Sequence, residues 1–91
     1  MASSRQREPH TLGERLLLVR NEHGLTWGHV AHVLGVTTQG VAAYEQGFPV
    51  PQPVLAAFAD VFAVQWDWLL MGVGQRYTPA SRLYAADTLF R

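Results

Sequence analysis

Residues 25–47 run Leu25-Thr26-Trp27-Gly28-His29-Val30-Ala31-His32-Val33-Leu34-Gly35-Val36-Thr37-Thr38-Gln39-Gly40-Val41-Ala42-Ala43-Tyr44-Glu45-Gln46-Gly47. Their punctuation decides the fold. Thr26 can accept a bond from a first-turn amide, so it caps a helix reaching about Leu34. Gly35 then supplies the left-handed conformation that ends it. Thr37 caps the next helix, from Thr38 to about Gln46, and Gly47 ends that one. Two short helices joined by so brief a turn cross steeply and touch near the turn. Ala31 is small enough to allow the approach, and Val41 buries a branched side chain against the preceding helix. The sequence is therefore expected to place a helix-turn-helix here.

The flanks extend the same pattern. Thr11 with Glu14 three residues on forms a capping box, so a first helix begins there, with Leu12, Leu16 and Val19 on its buried stripe and Gly24 as its stop. Residues 1–10 read as a flexible polar arm. Phe48-Pro49-Val50-Pro51-Gln52-Pro53 is a loop, because its prolines forbid helical continuity. Pro53 opens a fourth helix at its first position, with Leu55, Phe58, Ala59 and Phe62 on one face. A short helix follows at about Gln65–Met71, closed by Gly72 and Gly74. Thr78-Pro79 is expected to open a last helix carrying Leu83, Ala86 and Phe90 on one side. No useful strand alternation occurs, so the chain is expected to be all-α, with five or six short helices.

Ninety-one residues suit one domain. Hydrophobic residues make up 48%, enough for a core, so general disorder is excluded. With no Cys, disulfides and thiolate metal sites are excluded. Seven basic residues, all Arg, balance seven acidic ones, which removes any argument for nucleic-acid binding from net charge. Charge is nevertheless segregated: +2 over residues 1–20, −4 over 21–75 and +2 over 76–91. His23, His29 and His32 lie in the acidic middle and offset part of its charge below about pH 6.5. His29 and His32 have a spacing that can hold a metal, but with no third ligand in register they read as surface histidines. The N-terminus lacks the apolar stretch of a secretory signal, and Val54–Val64 is broken by Asp60 and too short to span a bilayer, so the expected compartment is the cytoplasm.

The residues quoted above closely resemble the lambda-repressor-like (Cro/repressor-type) helix-turn-helix family. Gly13-Glu14-Arg15-Leu16 with Val19-Arg20 looks like its first helix, and Tyr44-Glu45-Gln46-Gly47 followed by prolines like the end of its recognition helix. Ala63-Val64-Gln65-Trp66-Asp67-Trp68-Leu69-Leu70-Met71-Gly72 looks like its fifth. About residues 12–74 are covered, and the tail 75–91 is not. The resemblance implies a five-helix DNA-binding domain over residues 11–74, with an additional C-terminal helix in residues 75–91 as a possible dimerisation element.

Its implied function is a transcriptional regulator, a repressor acting as a homodimer on an operator in double-stranded DNA and nucleoid-associated when bound. Carried over by position, Thr38, Gln39, Ala42 and Ala43 face bases. Gln suits adenine N6/N7 and an Ala methyl suits a thymine methyl, which favours A·T-containing half-sites. Thr37, Trp27, Arg20, Arg15, Arg5 and Arg7 are the expected phosphate contacts. Trp27 stands where the family commonly has Gln; its indole N–H could serve a phosphate or the ring could be packing. The loop after the recognition helix, often basic in the family, is uncharged here. Glu45 is expected to pair with Arg20 or Arg15, tying the third helix to the first. Dimerisation is expected through Leu83, Ala86 and Phe90, with Trp66 and Trp68 as a second candidate surface, unless the tail folds onto Leu17 and Leu18 of its own chain.

No nucleophile, phosphate loop or carboxylate pair suggests an enzyme, and no cofactor, metal or small-molecule substrate is implied. The rival reading is a helix-turn-helix scaffold that binds another protein, as a co-regulator or antirepressor. It is motivated by the uncharged loop and the acidic middle.

Overall fold

The computed structural model describes residues 9–89, which form six helices: α1 Leu12–Glu22, α2 Trp27–Leu34, α3 Thr38–Glu45, α4 Gln52–Phe62, α5 Trp66–Met71 and α6 Tyr84–Leu89. Local chemistry sets most of the ends. The Thr11 hydroxyl accepts from the Glu14 amide, and the Glu14 carboxylate accepts in return from the Thr11 and His10 amides. Thr26 and Thr37 cap α2 and α3 through the amides of His29 and Gly40. Gly35 ends α2 in the left-handed region (φ 73°). α4 starts one residue before the expected Pro53. Pro51, in extended geometry, takes the cap position and Pro53 falls within the first turn, where its missing N–H costs nothing.

Leu16 and Val19 of α1, Val30 and Ala31 of α2, Val41 of α3, Phe58 and Phe62 of α4 and Leu69 of α5 share one core. α1 crosses α3 so closely that a Cβ on Gly13 would lie 2.5 Å from the Glu45 carbonyl oxygen and 2.7 Å from that of Tyr44. Glycine is what permits this crossing.

The C-terminal segment departs from expectation. Thr78-Pro79 does not open a helix. An isolated antiparallel bridge joins Val64 to Tyr77, with Gln65 donating to the Arg76 carbonyl and Thr78 to that of Ala63. Two turns follow, in which the Ser81 amide bonds Thr78 and the Tyr84 amide bonds Ser81. Helix α6 therefore starts at Tyr84. Tyr77 is 1% exposed, and its hydroxyl donates to Glu22 at 2.7 Å. Its ring meets His23 edge-on, and His23 in turn packs on Phe62. Arg76 ties the segment down by bonding Glu22 of α1 and Asp87 of α6.

Two expected dimer residues are consequently internal. Trp68, 6% exposed, is core, with the Arg76 guanidinium 5.2 Å over its ring. Leu83 is half-buried against the same core. Phe90, with residues 1–8, lies outside the described residues. No helix among the described residues is long and apolar enough to cross a membrane.

Candidate nucleic-acid interface

Helix α3 presents its first turn outward. Thr37, Thr38 and Gln39 are exposed, and Ala42 and Ala43 one turn on are half-buried. The four candidate base-facing residues thus share a helix whose inner side is the buried Val41, with Tyr44 packed on the same core. The first turn of α2 lies alongside: a Cβ on Gly28 would sit 3.9 Å from the Thr38 hydroxyl. Two helix N-termini therefore open close together.

Their electrostatics favour an anion. Neither α2 nor α3 carries an acidic residue in its first turn, whereas α1 carries Glu14 and α5 carries Asp67. Each threonine cap satisfies one first-turn amide and leaves others without an intrahelical acceptor. The partial positive charge at those ends is not offset locally. Thr37 uses its oxygen as an acceptor in capping, so its O–H remains able to donate.

The expected phosphate contacts fare differently. Arg15 is 6% exposed, and its Nε and Nη2 donate to the carbonyls of Leu69 and Leu70 at 2.6 and 3.0 Å. It closes the C-terminal end of α5 and is withdrawn from the phosphate set. Desolvation lowers its pKa below the ordinary arginine value, opposed by the nearby Glu14 carboxylate. The residue was misassigned because a charged side chain in a first helix reads as surface until its acceptors, more than fifty residues away, are known.

Arg20 is withdrawn as well. Its Nε and Nη2 grip the Glu45 carboxylate at 2.7 and 3.1 Å, and Nη1 donates to the Leu25 carbonyl. This settles the pairing of Glu45: Arg20, not Arg15, ties α3 to α1. The Trp27 indole N–H also donates to Glu45, at 2.9 Å, so that donor is spent inside the chain. Trp27 is still 42% exposed, with the Arg20 guanidinium 5.7 Å from its ring centre. Glu45 therefore clamps α1, the start of α2 and the end of α3 together, a role that sequence spacing only partly indicated. Arg5 and Arg7 lie outside the described residues.

Sequence reasoning missed two exposed apolar features. Phe48, 62% exposed, stands just past α3, and Leu70, Met71 and Val73 join Trp66 on and after α5. Large apolar residues in a loop or at a helix end are the signal that could have found them. His29 pairs with its own cap, Nδ1 lying 3.1 Å from the Thr26 hydroxyl. No group of three His, Asp or Glu that could hold a metal occurs among the described residues.

The family model described as helix-turn-helix matches residues 16–69, more than half of the chain. No curated protein and no solved structure matches significantly.

Proposed function

The chain belongs to the lambda-repressor/Cro-like helix-turn-helix family of DNA-binding regulators, and on that premise we propose that it reads a specific duplex sequence and represses transcription as a homodimer on an operator. One observation carries this: the capped N-terminal turn of α3 stands exposed with Thr38 and Gln39 on it, beside the equally uncancelled N-terminus of α2. In the major groove that turn offers Gln39 to a base edge, with Thr38 beside it and the Ala42 and Ala43 methyls behind. Thr37 and the first-turn amides of both helices hold phosphates, joined by Arg5 and Arg7.

For the homodimer, Trp66, Leu70 and Met71 are the surface we favour, since Leu83 and Trp68 face the chain's own core. A Leu70→Glu variant that stays dimeric in sedimentation removes that surface from the reading. Of the expected phosphate set two arginines, Arg5 and Arg7, remain, so through these affinity should fall with salt at a slope of about −2 per subunit.

Selection from a random duplex library, followed by titration of the winner, tests the reading. Gln39→Ala should cost about 1–3 kcal/mol on the selected site. An unchanged affinity removes Gln39. A second reading has its own support. Within residues 16–69 the lone arginine, Arg20, is paired with Glu45, as expected of a protein-docking scaffold. Failure to bind any duplex at about 50 mM salt, where nonspecific electrostatic binding is strong, decides for that reading.

A further inference from the structure

Gly28 leaves a bare stretch of backbone at the start of α2, flanked by two hydroxyls. A Cβ placed on it would lie 3.8 Å from the Thr26 Oγ and 3.9 Å from the Thr38 Oγ. Thr26, Gly28, His29 and Thr38 are all exposed there. The His29 Nδ1 lies 3.1 Å from the Thr26 hydroxyl, which also accepts from the His29 amide at 3.1 Å. We propose that His29 and Thr26 form a proton-dependent phosphate contact, so that DNA affinity rises as pH falls through the histidine range.

The donor count carries this. A neutral imidazole has one N–H and one lone pair. With the proton on Nε2, the Thr26 hydroxyl donates to Nδ1, and Nε2–H is the donor left outside the pair. With the proton on Nδ1, that N–H donates to Thr26, whose own O–H is left, and Nε2 offers a lone pair. Either tautomer leaves one donor. The imidazolium donates from Nδ1 to Thr26 and leaves two, Nε2–H and the Thr26 O–H. Protonation thus adds one donor and one positive charge, whichever tautomer precedes it. A phosphate oxygen, which accepts and is anionic, gains from both.

The surroundings tie that charge to DNA. An imidazolium and the N-terminal end of α2 are both positive, so they repel until an anion joins them. The first turn of α2 carries no acidic residue to do so. The helices packed against α2 bring Tyr44 and Glu45 from α3 and Asp60 from α4. Glu45 is held by Trp27 and by Arg20 of α1. Asp60 is exposed, as is His32 one turn further along α2. No carboxylate among the described residues pairs with the His29 ring. The contact rests on the DNA-binding reading above, and it adds Thr26 and His29 to the residues that reading uses.

Anisotropy of the full chain with the labelled duplex won from the random library tests it, at about pH 7.5 and about pH 5.5, either side of the ordinary imidazole value. An opposite charge in contact strengthens a group's hold on its proton about tenfold. The bound state then holds the proton more tightly than the free one, so affinity falls as pH rises, by about five-fold per subunit between those two values. The salt slope should be steeper by about 0.9 per subunit at the lower pH. His29→Gln should lose both the gain and the added slope, and His32→Gln should keep both. Equal affinity at the two pH values, or a gain that persists in His29→Gln, overturns the proposal and leaves the DNA reading standing. Failure to bind at both pH values overturns the DNA reading and this contact with it. The Thr26 cap bonds the backbone amide of residue 29, so His29→Gln keeps it and loss of folding does not confound the result.

Discussion

Removing the Glu45 carboxylate is the most discriminating perturbation available. It accepts three hydrogen bonds, two from Arg20 and one from Trp27. The Arg20 and Glu45 side chains are 14% and 7% exposed, so water screens the pair poorly. Glu45→Ala would leave the Arg20 guanidinium enclosed with no anionic partner, holding the Leu25 carbonyl and facing the Trp27 ring. Breaking one side of such a buried pair costs about 3–5 kcal/mol, whereas an exposed pair is worth about 0–1. A small domain has only about 5–15 kcal/mol in total, so the variant should be largely destabilised yet measurable in stabilising conditions. Urea unfolding followed by tryptophan fluorescence gives the value, with an unchanged slope showing that the unfolding reaction is the same. Much of the cost is the orphaned charge rather than the lost bonds. The double variant Arg20→Met/Glu45→Leu should therefore regain a large part of the loss. A single-variant cost below about 1 kcal/mol would mean that the pair behaves as a solvated one, and the clamp described here would be wrong.

Three further outcomes follow from single positions. Burial and the hydrogen bond to Glu22 push the Tyr77 hydroxyl's pKa well above its ordinary value. The folded state therefore holds that proton more tightly than the unfolded state does. Its contribution is complete below about pH 10 and falls above it by up to about 1.4 kcal/mol per pH unit, a decline that Tyr77→Phe should remove from alkaline unfolding curves. Ala63 ends α4 at φ 54°, a left-handed geometry that costs an L-residue about 1–2 kcal/mol, so Ala63→Gly should raise the urea midpoint. Gly13→Ala would force a methyl against the Glu45 and Tyr44 carbonyls and should lose about 1–3 kcal/mol, visible as a fall in Tm. A Tm unchanged within error would show that the α1–α3 crossing yields more easily than its distances suggest.

Features settled within a few residues were legible in the sequence. The Thr11–Glu14 capping box, the Thr26 and Thr37 caps and the Gly35 stop each depend on atoms three or four positions apart, and all four appear as expected. What escaped depends on distant partners. Tyr77 enters the core because Glu22 accepts its hydroxyl and Val64 pairs its backbone. That pairing draws residues 76–78 away from helix, and the start of α6 moves to Tyr84 as a result. Arg15 looked available to solvent because its acceptors lie at the other end of the domain. At the candidate site Thr38 and Gln39 are exposed, whereas Arg20 and Trp27 are occupied because both donate to the same carboxylate.

That occupancy changes what kind of DNA reader the proposed function describes. Three of the four arginines among the described residues, Arg15, Arg20 and Arg76, are bound to groups of the same chain, which leaves Arg82 exposed. Little of the counterion-release energy that dominates nonspecific association remains for the domain itself. Phosphate contact then falls chiefly to helix N-termini and hydroxyls, which position a helix but attract DNA over short range only. Discrimination must come from Gln39 and its neighbours, each mismatch costing about 1–3 kcal/mol out of a small total. One half-site would bind weakly under such terms, and a second subunit linked to the first supplies the difference through effective concentration rather than added contacts. A shallow salt slope, steep mismatch penalties and dependence on the dimer are therefore one physical statement. Observing a steep slope with tolerant base preferences would contradict all three together.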